Sequence, residues 1–480
     1  MRIGIFGGGP QAWPSLNKTH AAYVRALGLN HSVVALADEE SGWSDIDVVL
    51  AFAGDAGWRL ARRAERPPIV FVLHGGAVLN VMQIGERLPT LQPGDRFIGN
   101  CSADETVLDA LAGADPPPTH AVPLPVDAPG RTREMRDAAR TELGIADDEG
   151  VIAIVSRLVP QKNVHHALRS AAAAMELNPR RRWRIVVVGS FWPDYRILRT
   201  PDLVYHDWLR AEVVRLGIED RLMLFAAGLS ASELATVYAA ADVALSLTHS
   251  IDENFGYFAI EAMGSGVPVI GTAYGGQRDS IVGGTSGWPL ATWYTPTGIR
   301  SAFGDAAQLL AGMSRSAIDA MGIRAQAFVE AHHGEQSFAN RLEAICDAAI
   351  RERAGGPRAP SAAEISTASD KGDDDDAAAL RFEHDALDDY AFAIRRYVSD
   401  AAPRVDEGDR LVPFAPLVLV DGRLVAADPV WPVRYRASAA EVAVLASTSR
   451  DGRVHVSGAT RAAAQHLVTT GLLVPERLSC

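Results

Sequence analysis

Two glutamates stand eight positions apart in the stretch ENFGYFAIE, Glu253 before an Asn-Phe-Gly turn and Glu261 within the apolar run that follows it. The run ADVALSL (241–247) precedes them and VPVIGT follows, so the segment reads as strand, loop, helix, strand. In such a unit Asn254, Phe255 and Gly256 offer backbone N–H groups at or near a helix N-terminus, where orphan donors and the macrodipole favour an anion. With Glu261 about two turns further along, roughly 12 Å of axial rise, the two carboxylates cannot act on one atom. They fit the two ends of one long ligand whose phosphates lie between them.

A pair of cations points the same way. In SRLVPQKN (156–163), Arg157 and Lys162 leave an apolar strand around a turn containing Pro160, where they can converge on a diphosphate. Arg suits bidentate contact and Lys acts as a mobile point charge. His74 closes another apolar run, in VLHGG. Singly, each piece has an ordinary explanation: exposed carboxylates, a basic turn, a satisfied structural histidine.

The elements that must position these residues form two α/β series. In the first 130 residues RIGIFGG, SVVALAD, DVVLAFAG and PIVFVLHGG alternate with helical stretches, which predicts a parallel sheet with ligands at the carboxyl ends of its strands. AVPLPVDAPG (121–130), with three prolines, reads as a linker between lobes. A second series follows in VIAIVSRL, WRIVVVGS, RLMLFAAG, ADVALSL and VPVIGT, with Ser230 and Glu233 spaced as a capping box and helical residues continuing to about 353. The stretch 355–379 is poor in large apolar residues and carries an Asp tract, the composition of a flexible linker. The last hundred residues suggest two or three helices and a short hairpin, compatible with a small winged-helix module. The expected division is therefore 1–125, 126–353, an acidic linker 354–380, and a small appended domain 381–480.

At 480 residues the chain is too long for one core. Its 59 acidic against 46 basic residues, a formal net charge of -13, argue against a nucleic-acid partner. Cys101, Cys346 and Cys480 are scattered, and no Cys/His cluster has zinc spacing, so a reducing cytoplasm and no metal are expected. MRIGIFGGG lacks the features of a signal peptide, and no run of 18 apolar residues offers a spanning helix. The stretch WRLARRAERPP (58–68) is locally basic; it reads as a solvated helix face, with a membrane edge as the alternative.

Read together, SRLVPQKN, SIDENFGYFAIEAMGSGVPVI and the Gly275-Gly276 turn of YGGQRDSIV occur in order at the ends of successive strands. In this the chain resembles the retaining GT-B glycosyltransferases of family 4, the glycosyltransferase group 1, over about 1–350 and most strongly over 151–290. The resemblance implies two Rossmann-like lobes with the active site in the cleft between them. It implies that Arg157 and Lys162 bind the diphosphate of a nucleotide-sugar donor, and that Glu253 lies beside the donor sugar. By the same resemblance the backbone at Asn254, Phe255 and Gly256 contacts sugar or phosphate, Glu261 holds the ribose hydroxyls, and His74 touches the donor sugar. It further implies that the acceptor attacks on the face the diphosphate leaves, without an enzyme nucleophile. The expected co-substrate is a nucleotide-diphosphate sugar, with no other cofactor; the expected acceptor is a soluble metabolite, saccharide or peptide. The C-terminal module is expected to serve self-association or partner docking.

Three departures bear on this. Leu16 and Asn17 replace the family's glycine pair before the histidine matching His20, leaving Gly8 and Gly9 of the GGG at 7–9 to supply a close backbone approach to the donor. His249-Ser250 replaces the usual proline-serine before Glu253, and GSFWPDYR (189–196) replaces a glycine-rich turn. Two other classes compete. GGGPQA (7–12) with Asp38 fits the pattern of a dinucleotide-binding turn, hence an NAD(P)-dependent oxidoreductase, though Pro10 and the second lobe's cations oppose it. A degenerate, non-catalytic transferase fold is the other. DID (45–47), the one separated D-x-D, is better read as a strand start than as a metal site.

Overall fold

The central apolar runs become parallel strands buried on both faces, as a sheet covered by helices on either side requires, while the edge strands are only half-buried. The computed structural model describes residues 1–7, 14–36, 45–52, 54–113, 116–127, 130–192, 204–354, 388–420, 423–426, 428–430, 433–449 and 453–476. By contacts the chain forms two units: Met1–Asp127 with Ile251–Gly256 and Val329–Ser369, and Ala128–Ser250 with Tyr257–Phe328 and Asp370–Cys480.

Unit 1 holds β1 (Arg2–Phe6), β2 (Ser32–Leu36), β3 (Val48–Ala51), β4 (Ile69–Val72), β5 (Arg96–Gly99) and β6 (Thr119–Ala121), in the order β2-β1-β3-β4-β5-β6. Every pairing is parallel. The strands VVLA and IVFV are buried along their whole length. Trp58 stacks on Phe71 at 4.3 Å between ring centroids and Leu60 is fully buried, so the basic stretch 58–68 turns its apolar side chains into the core. Its Arg66 is no solvated cation either: it forks onto the buried Asp95. A membrane-edge role for this stretch loses its apolar anchor.

Unit 2 holds β7 (Gly150–Val155), β8 (Trp183–Val188), β9 (Leu222–Phe225), β10 (Val243–Ser246), β11 (Val269–Thr272) and β12 (Gly287–Leu290), in the order β12-β11-β10-β7-β8-β9, again all parallel. The capping box at Ser230 and Glu233 forms as the sequence predicts and opens the helix Ala231–Ala240.

Two boundaries differ from the sequence division. Although the sequence pattern places 126–353 in the second lobe, Val329 and the helix Glu335–Ala354 group with unit 1. The reason is that helix's apolar face: Phe338 meets Tyr23 edge-on at 4.9 Å, and Leu342, Ile345 and Ala349 are buried, while Arg96 reaches Glu352 at 2.7 Å. Residues 381–480, expected to stand as an appended domain, group with unit 2. Asp400 N donates to Thr292 O in the hairpin of β13 (Thr292–Thr295) and β14 (Gly298–Ser301), and Arg300 Nε donates to Gly471 O. This region has more strand than expected: β15 (Arg410–Pro413), β16 (Leu417–Val420), β17 (Arg423–Ala426), β18 (Val433–Tyr435), β19 (Val454–His455) and β20 (Leu473–Pro475) make two three-stranded antiparallel sheets, β19-β15-β20 and β16-β17-β18. β19 and β20 both pair with β15 on either side of the helix Arg461–Thr469, so no consecutive hairpin of the winged-helix kind follows that helix among the described residues. The linker 354–380 lies outside the described residues except for Ala354.

Candidate functional site

In unit 2 the three motif segments meet at the carboxyl ends of three neighbouring strands, β7, β10 and β11. Arg157 leaves β7, and the chain turns through a 3-10 turn, Pro160–Lys162, closed by Lys162 N donating to Val159 O. Asn163 ends the turn at φ 51°, the one non-glycine with positive φ among the described residues. Asn tolerates that left-handed conformation better than most side chains, and its Nδ2 donates to Leu247 O at 2.9 Å. His249 N donates to Gln161 O at 2.8 Å, and Thr272 Oγ1 to Thr248 O at 2.9 Å. Gln277, just after the Gly275-Gly276 turn, donates from Nε2 to Ser246 Oγ at 2.5 Å. Side-chain and backbone bonds thus lace the segment of Arg157 and Lys162 to the segment before Glu253 and to the glycine turn. Both cations are half-buried at this edge.

Glu261 lies on the short helix Tyr257–Gly264, half-buried, with Oε2 accepting the Tyr238 hydroxyl at 2.9 Å. Burial and the Glu261 charge push the Tyr238 phenol well above its ordinary pKa, so it remains a donor and fixes the carboxylate. In one dimension Tyr238 is only a polar-tipped residue in an apolar helix, with no signal for this role.

In unit 1, His74 follows β4 at the turn Gly75-Gly76, whose φ values of 69° and 80° demand glycine. The helix Gly76–Arg87 is held at its start by Asp104, whose Oδ1 accepts from Ala77 N at 2.6 Å while Oδ2 accepts from Asn100 N at 2.9 Å. The His74 ring lies against Phe52 at 5.2 Å. Burial, then the neighbouring His20, lowers its pKa to about 4, so the imidazole is neutral at physiological pH. The segment carrying Glu253 packs on the same turn: Asn254 Nδ2 donates to Leu73 O at 3.4 Å, and a Cβ on Gly75 would come within 3.7 Å of Asp252 Cβ. Phe255 is buried, with its ring 5.8 Å from His333.

The structure revises one piece of the sequence geometry. Glu253 does not share a helix with Glu261: Asn254 to Gly256 bend, Gly256 takes φ 86°, and the helix starts only at Tyr257. The roughly 12 Å axial rise therefore does not apply; Glu261 stands about one turn into the helix, some 6 Å, and the preceding loop, not a helical turn, carries Glu253.

The departures also acquire physical content. His249 is fully buried, 3.0 Å from Ser301 Oγ and stacked near Phe414, a core residue whose pKa burial drives well below the ordinary value. Gly189–Trp192 sits beside the Arg157 loop, with Leu158 N donating to Ser190 O at 2.9 Å. Asp47 of the DID stretch accepts from Arg2 N at 2.7 Å through Oδ2, the contact of a strand start. Gly8, Gly9, Asp38 and the rest of GGGPQA after Gly7 lie outside the described residues.

Two parallel Rossmann-like sheets with a cation-bearing carboxyl edge define the GT-B class of fold. Residues 135–293 match the family model of the glycosyl transferases group 1. The D-inositol 3-phosphate glycosyltransferase of Nocardia farcinica is 32% identical over 308 residues, 62% of this chain and 63% of that protein. That of Actinosynnema mirum is 33% identical over 252 residues, 50% of this chain and 58% of that protein. The chain thus spans roughly three-fifths of the length of the curated relatives it matches. Among solved structures, sucrose-phosphate synthase of Thermosynechococcus elongatus superposes with a TM-score of 0.54 at 16% identity, over 72% of this chain and 98% of that one. HepE of Anabaena in complex with UDP-glucose gives 0.55 at 17% identity, over 72% of this chain and 99% of that one. At such identities the likeness is one of fold. Among the described residues, no helix is long and apolar enough to cross a membrane.

Proposed function

We propose that the chain is a retaining, metal-independent glycosyltransferase that moves a sugar from a nucleoside-diphosphate sugar to a hydroxyl of a soluble acceptor. The observation that carries this reading is the laced edge of unit 2, where Arg157 and Lys162 stand on a turn bonded to Leu247 and His249. In this reading the two cations neutralise the departing diphosphate, the task that preorganised donors perform best in a water-poor site. Glu261, oriented by Tyr238, takes the ribose hydroxyls. The backbone at Asn254, Phe255 and Gly256 contacts sugar or phosphate. Glu253 and the neutral His74 attend the donor sugar.

The reaction breaks the bond between the anomeric carbon and the diphosphate oxygen, whose electrons leave with the nucleoside diphosphate. The acceptor oxygen bonds to the same face of the anomeric carbon, and its proton passes to the departing phosphate oxygen, so configuration is retained. Because fixed cations carry the leaving-group charge, transfer should survive brief EDTA treatment and gain nothing from added Mg²⁺ or Mn²⁺. The relatives' names make D-inositol 3-phosphate the first acceptor to try, beside saccharides and peptides. Cys101 and Cys346, buried and in no disulfide, suit a reducing cytoplasm. The region 388–476 is proposed to dock a partner or a second copy.

The test is a thermal-shift panel of UDP-, GDP- and dTDP-sugars with NAD(P), since a ligand selective for the folded state raises the melting temperature. Stabilisation by one nucleotide sugar, followed by transfer with retained configuration, is expected. A shift with NAD(P) alone would move the assignment to an oxidoreductase, and donor binding with no turnover on any acceptor would leave a degenerate binding protein.

A further inference from the structure

Unit 2 holds a second group of ionisable side chains that the transfer chemistry does not use. His165 and His166 begin the helix Val164–Leu177, directly after the Lys162 turn, and Asp428 follows β17. All three are enclosed, at 0%, 1% and 3% exposure. Asp428 Oδ2 lies 3.3 Å from His166 Nε2 and 3.5 Å from His165 Nε2. One ligand atom from each residue falls within 4.8 Å of the other two, and this is the one such His/Cys/Asp/Glu group among the described residues. Successive side chains on a helix normally diverge. Here two imidazoles, centroids 4.5 Å apart, converge on one carboxylate oxygen.

Hydrogen bonding accounts poorly for that convergence. A charge-assisted N–H···O bond is about 2.7–2.9 Å long, shorter than either separation, and His165 Nε2 makes no hydrogen bond although it is wholly buried. Two ligands on a tetrahedral zinc ion, each about 2.0–2.1 Å from it, stand about 3.3–3.4 Å from each other. The two carboxylate–imidazole spacings, 3.3 and 3.5 Å, are close to that length. The outer contacts fit as well: His165 Nδ1 is 3.1 Å from the Tyr205 hydroxyl, and Asp428 Oδ1 accepts from Val430 N at 2.9 Å, the kind of support that orients metal ligands. Burial holds both imidazoles below their ordinary pKa, His166 at about 3. Burial would raise the Asp428 pKa, but its contacts with the two histidines outweigh this and hold it well below the usual range. Two neutral imidazoles and an ionised carboxylate are the protonation states a metal ion needs.

We propose that His165, His166 and Asp428 bind one zinc ion, a structural staple between the helix that follows the Lys162 turn and the C-terminal segment. The nitrogen, nitrogen, oxygen donor set suits zinc and leaves a fourth position for water. The site does not depend on the transfer reading and takes no part in it. The cluster escapes a search by spacing because Asp428 stands 262 positions beyond His166.

The full chain, purified without chelator, is expected to carry about one zinc by elemental analysis. After slow chelation under mild denaturant, its melting temperature should drop by several degrees and recover on adding Zn²⁺ alone. Co²⁺ in place of zinc should give the strong visible absorption of a tetrahedral ion, lost in His166→Gln and Asp428→Asn. A wild-type chain that stays zinc-free after exposure to Zn²⁺, with an unmoved melting temperature and no such cobalt spectrum, overturns the proposal, as do well-folded variants that keep full stoichiometry. Should the variants fail to fold, the wild-type cobalt spectrum decides.

Discussion

The two sheets solve the same problem differently. At the carboxyl edge of β7, β10 and β11, polar side chains are spent on fastening loops: Asn163, Thr272 and Gln277 each bond the neighbouring motif segment. At the carboxyl end of β4, the turn is fixed by backbone and burial instead: left-handed glycines, a buried Asp104 capping Ala77 N, and a histidine set against Phe52. The first device leaves cations presented on a stitched scaffold. The second encloses His74 and keeps it neutral. On the proposed reading, an edge that receives phosphate needs charge that does not wander, whereas a corner beside a sugar needs shape and an uncharged donor or acceptor.

The largest effect is expected from removing the charge at the stitched edge. Lys162→Ala and Arg157→Ala are each expected to lower transfer by about 10²-fold or more, on the scale of one lost oxyanion donor, with melting temperatures near wild type. Rates within a factor of about three would refute the phosphate role.

The stitching itself comes next. Asn163→Ala must adopt a left-handed backbone, at about 1–2 kcal/mol, and loses the bond to Leu247, worth about 1 kcal/mol. Urea unfolding should therefore show a loss of about 2–3 kcal/mol, and Asn163→Gly, which keeps the conformation, about 1 kcal/mol. Equal losses in the two variants would mean that the φ of 51° is not what matters.

A smaller effect is expected where a side chain only orients another. Tyr238→Phe removes the bond to Glu261 and should raise the KM for the donor about tenfold, the equivalent of one hydrogen bond to a charged group, with kcat little changed. If KM stays put while kcat falls, Glu261 is not a ground-state ribose ligand.

The mildest test separates the corner of unit 1 by pH. His74 and His333 both have pKa values lowered to about 4, by burial first. Between pH 6.5 and 4 the unfolded chain binds more protons than the folded one, so stability is full above about 6.5 and declines as pH falls toward 4. Melting temperature should drop progressively from pH 7 to pH 5, while transfer shows no inflection near 6.5 from His74. A flat stability profile would contradict neutral burial of these rings.

Much of this molecule was legible in order and pattern. Continuous apolar runs such as VVLA and VIAIV declare strands buried on both faces, and the Ser230–Glu233 spacing declares its cap, because burial and capping act over a few residues. Arg157, Lys162, Glu253 and Glu261 could be named together as candidates because each sits at a strand end or in the loop and helix that follow one, where side-chain type and spacing survive in one dimension. The long-range contacts were set by the three-dimensional packing. These contacts pack Glu335–Ala354 on Tyr23, join residues 388–476 to unit 2, make His249 core, and bring Asp428 to His166, 262 positions earlier, and to its neighbour His165. Local sequence fixes what a segment prefers to be; which apolar face finds which partner is set by burial summed over the whole chain, and no short stretch contains that sum.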